Sequence, residues 1–223
     1  MVKQRVRKWL KNGTTKLDRI LIGKKEFVII SNNCWGAEIY KRLNREYNTP
    51  FVGLFLFGPD YVKLVENFDY YLSLPLKFTT TSQWGNSPMN YPIGKLDDIE
   101  IHFMHYASNE DAEVKWTRRL SRMNKIKDKS KYYFKICDRD LATVDLIKRF
   151  HETPFANKIS MGINPVDSEG HITIAETNDN VSVPDGLVLY DISFKYVDIF
   201  KWIKTGKITN NRYSGFKYSA RVS

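Results

Sequence analysis

The amino-acid sequence predicts a three-layer α/β fold: a mostly parallel or mixed sheet with helices on both faces and a β-rich C-terminal addition. Three observations predict it. Runs such as Phe27–Ser31 and Phe51–Phe57 are almost wholly apolar, as expected of strands covered on both sides. Three times an apolar strand passes through a polar turn into an amphipathic helix, at Ser31-Asn32-Asn33-Cys34-Trp35-Gly36, His105-Tyr106-Ala107-Ser108 and Cys137-Asp138-Arg139-Asp140. Beyond Pro154 the pattern changes to short strand candidates separated by Asn-Pro, Ser-Glu-Gly and Pro-Asp-Gly turns.

The elements follow in order. Residues 1–25 form a basic N-terminal segment, in which Val2, Val6, Trp9 and Leu10 repeat on one helical face. Residues 26–153 are the α/β core. Its first strand, Phe27–Ser31, leads into a helix marked by Ile39, Tyr40, Leu43 and Tyr47, which Thr49-Pro50 ends. Phe51–Phe57 is read as a buried strand, and Gly58-Pro59-Asp60 opens a helix with Pro in its first turn. Tyr70–Leu74 and Lys77–Ser82 are read as strands, followed by a loop from Gln83 to Tyr91. Asp98–Tyr106 is the expected central strand. Ser108 and Asp111 make a capping pattern, and Ala112, Trp116, Leu120 and Met123 trace the next helix's apolar face. Tyr132–Cys137 is the strand that carries the third turn, followed by a helix along Leu141, Val144 and Ile147. Residues 154–206 are the β-rich extension and closing helix, with strands at Lys158–Ile163, His171–Ala175 and Leu187–Tyr190 and a helix stopping at Gly206. Residues 207–223 are a basic tail.

Composition limits the function classes. Only Cys34 and Cys137 occur, too few for a disulfide framework, and no stretch approaches the roughly 18 apolar residues of a membrane span. The start lacks a secretory apolar core, so a cytoplasmic, at most membrane-peripheral, protein is expected. The formal charge of +10 is uneven. Residues 1–25 carry nine Lys/Arg against Asp18, and residues 195–223 carry seven against Asp198. The body between them has 19 basic and 23 acidic residues, which argues against a nucleic-acid groove through it. The basic N-terminal segment suits peripheral contact with an anionic membrane surface; the plainer reading is that Trp9 and Leu10 pack on the body.

If the strands that carry the three turns are parallel neighbours, their carboxyl ends gather in one crevice, where open α/β folds bind ligands. Asp138 and Asp140 could hold Mg²⁺ or Mn²⁺, with Arg139 offsetting negative charge; the commoner use of such a residue is to cap the following helix, with the other aspartate paired to Arg139. Ser31, Asn32, Asn33, Trp35 and Gly36 form a turn suited to an anion at a helix N-terminus, or an ordinary capped turn. Cys34 at that terminus is expected to have a lowered thiol pKa, and with His105 and Asp138 would make a nucleophilic set. Glu100 and His102 share a face with Asp98, expected to be polar or semi-exposed. Glu100, His102 or His105 is a candidate general base. Tyr106 lies in the second turn, and Trp84, Tyr91, Tyr213, Phe216 and Tyr218 offer aromatic faces for sugars.

The stretches Ser31-Asn-Asn-Cys-Trp-Gly-Ala-Glu-Ile-Tyr, Tyr91-Pro-Ile-Gly-Lys-Leu-Asp-Asp-Ile-Glu-Ile-His-Phe, Trp116-Thr-Arg-Arg and Asp138-Arg-Asp together resemble a bacterial family of domains of unknown function, often labelled exopolysaccharide biosynthesis proteins. The resemblance covers Glu26 to about Thr205 and leaves the basic ends largely outside. It implies an α/β domain of surface-glycan assembly and brings no catalytic residues with it. With the Asp-x-Asp, it favours a transferase acting on a nucleotide-sugar or other glycan precursor. The alternatives are a Cys/His acyltransferase or hydrolase on such precursors, and a non-catalytic glycan- or partner-binding domain.

Overall fold

A computed structural model describes residues 13–85 and 89–210. The helical face of Val2, Val6, Trp9 and Leu10, and the tail aromatics Tyr213, Phe216 and Tyr218, lie outside the described residues. In chain order the elements are α1 (13–22), β1 (Val28–Ser31), α2 (Trp35–Leu43), α3 (Gly58–Glu66), α4 (Phe68–Ser73), β2 (Lys77–Thr79), β3 (Ile93–Leu96), β4 (Ile99–His102), α5 (Asn109–Met123), β5 (Tyr132–Cys137), α6 (Val144–Glu152), β6 (Asn157–Gly162), β7 (His171–Thr173), α7 (Gly186–Tyr196) and α8 (Ile199–Thr205). Among the described residues no helix is long and apolar enough to cross a membrane.

The main sheet runs β1-β5-β6-β7, every pair parallel, with Val28 opposite Tyr132, Tyr133 opposite Asn157 and Ser160 opposite His171. Alternation along its strands divides the interior into two cores. Val28, Ile30, Phe134 and Ile136 face one core with Tyr61, Phe68, Trp116 and Phe150; Ile29, Tyr133 and Met161 face the other with Trp35, Ile39, Phe194 and Trp202. Helices therefore cover both faces, as the apolar runs require. The first two strands expected after Pro154 extend this same sheet.

A second, antiparallel sheet runs β2-β3-β4. Phe55 and His102 exchange two backbone hydrogen bonds of 2.9 Å, and Leu56 N–H donates to the Asn32 carbonyl at 2.9 Å. One short extended segment thus stitches the two sheets together beside the end of β1.

Four expected strands differ. Asp98–Tyr106 is not a central parallel strand: only Ile99–His102 is regular, and it folds back antiparallel on β3. The cause is the two-residue turn Asp97-Asp98, with Asp97 at φ 56°, between Leu96 and Ile99. Phe51–Phe57 keeps only the Phe55 bridge, because Gly53 turns at φ 73°, where a Cβ would stand 3.2 Å from the Tyr106 ring. Tyr70–Leu74 lies mostly in α4, which buries Phe68 and Tyr71 on one face. Leu187–Tyr190 belongs to α7, capped by Asp185, whose carboxylate accepts from Leu187 and Val188 N–H. Short apolar runs do not separate strand from buried helix, and here packing decided.

Candidate functional site

The three turns converge although the second strand is not parallel to the others. Phe55 pulls β4 alongside β1, and residues 104–106 arrive above Cys34 and Asn33. Two adjoining hollows result, of about 330 Å³ and 380 Å³. Both are lined by Cys34, His105 and Leu187. The first is completed by Lys41, Tyr47, Tyr106, Lys115 and Arg119; the second by Asn33, Phe55, Met104, Arg139, Asp140 and Asp185.

Most of the first turn faces inward instead of cradling a ligand. Ser31, Asn32, Trp35 and Gly36 are buried, and the Trp35 indole N–H donates to Ser193 Oγ at 2.9 Å. The reason is Lys135. This lysine sits in β5, fully buried, and its Nζ donates to Asn33 Oδ1 at 3.1 Å and to Asn32 Oδ1 at 3.3 Å. Asn33 Nδ2 in turn donates to Cys137 Sγ at 3.2 Å. No carboxylate of the described residues pairs with Lys135, and burial pushes its pKa down. The two asparagines are thereby spent on holding a desolvated amine. Only Asn33 reaches the hollow's wall.

The two aspartates diverge. Asp138 Oδ2 accepts from Ile163 N–H at 2.7 Å and its Oδ1 from Val183 N–H at 2.9 Å, tying three loops together. Asp140 lines the second hollow beside Arg139, whose Nη1 donates to the Val183 carbonyl. Burial pushes the Asp140 carboxyl up, against the pull of Arg139 and Lys135. Asp140 and Leu141 both have left-handed backbone, φ 57° and 64°, a conformation leucine rarely adopts. Neither aspartate caps α6; Thr143 does, accepting from Leu146 N–H. Among the described residues no three His, Cys, Asp or Glu side chains group as metal ligands would.

In the first hollow Arg119 is almost buried, donating from Nη1 to Tyr106 Oη at 2.5 Å. None of the described carboxylates lies within ion-pair distance of it. Lys115 pairs with Asp111 at 2.8 Å and Lys41 with Glu38 at 2.5 Å. Cys34 departs from expectation: burial raises its thiol pKa, outweighing the pull of Lys41. Asp138, occupied elsewhere, does not complete a Cys-His-Asp set.

Glu100 is not at this site. It and His102 are buried under the loop after β2, and Glu100 accepts from Ser82 Oγ at 2.8 Å and Gln83 N–H at 3.0 Å. Asp60 closes the cluster, accepting from the Trp84 indole at 2.6 Å and Glu100 N–H at 3.0 Å. The face expected to be semi-exposed is thus covered, and Trp84 is fastened to the protein. Phe55 stacks on His102 with ring centroids 4.7 Å apart, so the cluster backs the wall of the second hollow.

Sequence reasoning missed Lys135 and Arg119, and both had a signal. Lys135 is a lone cation inside an otherwise apolar strand. Arg119 falls on the buried stripe of α5 with Ala112, Trp116 and Met123, at helical spacings of four, three and four. Asp185 and Leu187 were hidden by reading α7 as a strand.

A model of a family described as a domain of unknown function, DUF1919, matches residues 5–204. The match takes in most of the basic N-terminal segment, which the resemblance was expected to leave out. A protein of Haemophilus influenzae described as uncharacterized is 37% identical over 158 residues, covering 67% of this chain and 72% of that protein.

Proposed function

The chain belongs to the DUF1919 family of domains of unknown function, and from that premise we propose that it is a transferase acting on a nucleotide-activated sugar in surface-glycan assembly. The observation that carries this reading is the pair of hollows meeting at Cys34 and His105, one walled by the Arg119 guanidinium, which has no carboxylate partner among the described residues. In this reading the donor's diphosphate lies in the first hollow against Arg119, with Lys115 and Lys41 at its rim. The sugar occupies the second hollow beside Asp140 and Arg139. An acceptor hydroxyl attacks the anomeric carbon, its proton passes to the His105 imidazole, and the sugar–phosphate bond breaks. The departing diphosphate keeps the electron pair, and Arg119 offsets its charge. Asp138 being held by Ile163 and Val183, Asp140 would be the carboxylate to hold a Mg²⁺ or Mn²⁺ at the sugar's end of the diphosphate, where the ion would supply charge neutralisation.

Calorimetric titration with nucleoside diphosphates and their sugars tests this reading. Arg119→Gln is expected to weaken binding at least about tenfold, the loss of one charge-assisted contact. His105→Ala is expected to bind normally and lose turnover. Chelating divalent ions should weaken wild type and leave Asp140→Asn little changed. No binding by any nucleoside diphosphate, with or without Mn²⁺, removes the reading.

A second reading keeps Cys34 as an acyl-accepting nucleophile, because it shares both hollows with His105. The raised thiol pKa places it second. A purely non-catalytic binding domain fits less well, since two hollows adjoin at the strand ends and burial raises both Cys34 and Asp140 in their walls.

A further inference from the structure

The described parts of the two basic segments, residues 13–25 and 195–210, meet on one side of the molecule. Helix α1 lies on α2: Arg42 Nη2 donates to Thr14 Oγ1 at 3.0 Å, and Arg42 pairs with Asp18 at 2.6 Å. The end of α1 reaches α8, where Lys25 Nζ donates to the Lys204 carbonyl at 2.8 Å. The segment after α8 turns back beside its start, with Asp198 N–H donating to the Thr209 carbonyl.

Burial then sorts the charges. The acidic residues of the two end segments, Asp18 and Asp198, are both buried, at 0% and 2% exposure. Lys16, Arg19, Lys24, Lys204 and Lys207 stay exposed. The exposed charges of the described parts of these segments are therefore all cationic. Leu17 and Ile20, three residues apart on one face of α1, are 52% and 67% exposed among those cations. Residues 1–12 and 211–223, which adjoin this face in the chain, add eight Lys/Arg and no Asp or Glu.

We propose that this α1–α8 face docks the protein on an anionic lipid bilayer, with Leu17 and Ile20 entering the headgroup boundary and the surrounding lysines and arginines meeting the lipid phosphates. A surface that mixes aliphatic side chains into a cationic field suits a bilayer better than a nucleic-acid backbone, which has no apolar layer to receive them. Docking rests on neither hollow, so it stands or falls separately from the transferase reading.

The full chain should sediment with vesicles of equal parts phosphatidylglycerol and phosphatidylcholine at least about tenfold better than with phosphatidylcholine alone at 0.1 M salt. Binding should fall away at 1 M salt, where the screening length shrinks to about 3 Å. Leu17→Ser/Ile20→Ser should weaken vesicle binding about fivefold or more with an unchanged melting temperature, because both side chains already face solvent. Lys16→Glu/Lys24→Glu should weaken it as well. Three results would overturn the proposal. One is equal binding to neutral vesicles. Another is a Leu17→Ser/Ile20→Ser protein that melts lower yet binds vesicles as wild type, which would mean the chain's own first residues cover the patch. The last is displacement from vesicles by duplex DNA that binds regardless of the Leu17 and Ile20 substitutions.

Discussion

At the scale of single residues, two neighbouring aspartates carry different work, and substitution separates them. Each Asp138 oxygen accepts one backbone N–H, so Asp138→Asn turns one acceptor into a donor facing a donor. The expected cost is about 1–3 kcal/mol of stability, read as a lower urea midpoint, with or without divalent ions. Asp140→Asn should leave that midpoint within about 0.5 kcal/mol, because asparagine tolerates the left-handed backbone and burial already disfavours the charge. A large fall for Asp140→Asn, or none for Asp138→Asn, would reverse these assignments. Cys34 yields a third expectation. With its thiol raised by burial, alkylation at pH 7 should be slow and should accelerate only well into the alkaline range. Fast alkylation at neutral pH would put the nucleophile reading ahead of the transferase.

At the scale of elements, the cleft depends on how closely α7 approaches the β1–α2 turn. Gly186 opens α7, and a Cβ there would stand 2.8 Å from Asn33 Oδ1 and 2.9 Å from Trp35 N. Gly186→Ala must therefore push apart the turn that Lys135 holds from below. We expect a loss of about 1–3 kcal/mol together with weakened nucleoside diphosphate binding, measured by melting and calorimetry. An alanine variant that melts and binds as wild type would show that this contact does not set the cleft's shape. The element pattern also explains which readings succeeded. Ser108 caps α5 by accepting from Asp111 N–H, as the capping pattern predicts, because such bonds are local. The β3–β4 hairpin was equally local, in Leu96-Asp97-Asp98-Ile99, but the long apolar run after it masked the turn.

At the scale of the whole molecule, acid should loosen the outer edge of the main sheet. His151 Nε2 lies 2.7 Å from Ser160 Oγ, which lies 2.8 Å from His171 Nδ1. Burial, then Lys158 and His171, hold the His151 imidazole down at about 4. Its ordinary value in an unfolded chain is about 6.5. Above pH 6.5 both states leave it neutral and it contributes no pH dependence. As pH falls from about 6.5 towards 4 the unfolded chain takes up a proton that the folded protein refuses, so stability is lost across that window. Allowing for the ring's partial solvation, the loss is about 1–2 kcal/mol, and His151→Gln should flatten it. An unchanged slope of urea midpoint against pH in that variant would place the acid sensitivity elsewhere.

By itself the sequence determined the fold class, the two-sided burial of β1, the turns that carry the site and the uneven spread of charge. These follow from local pattern and composition, which need no knowledge of what lies across the chain. Only the tertiary structure decided that His105 meets Cys34 through the Phe55 bridge, that Asp138 is consumed by Ile163 and Val183, that Glu100 lies buried under Gln83, and that α1 and α8 present their lysines together. Those outcomes depend on pairings tens to more than a hundred residues apart. A side chain's role there is set by which backbone group or charge the rest of the protein brings within hydrogen-bond reach.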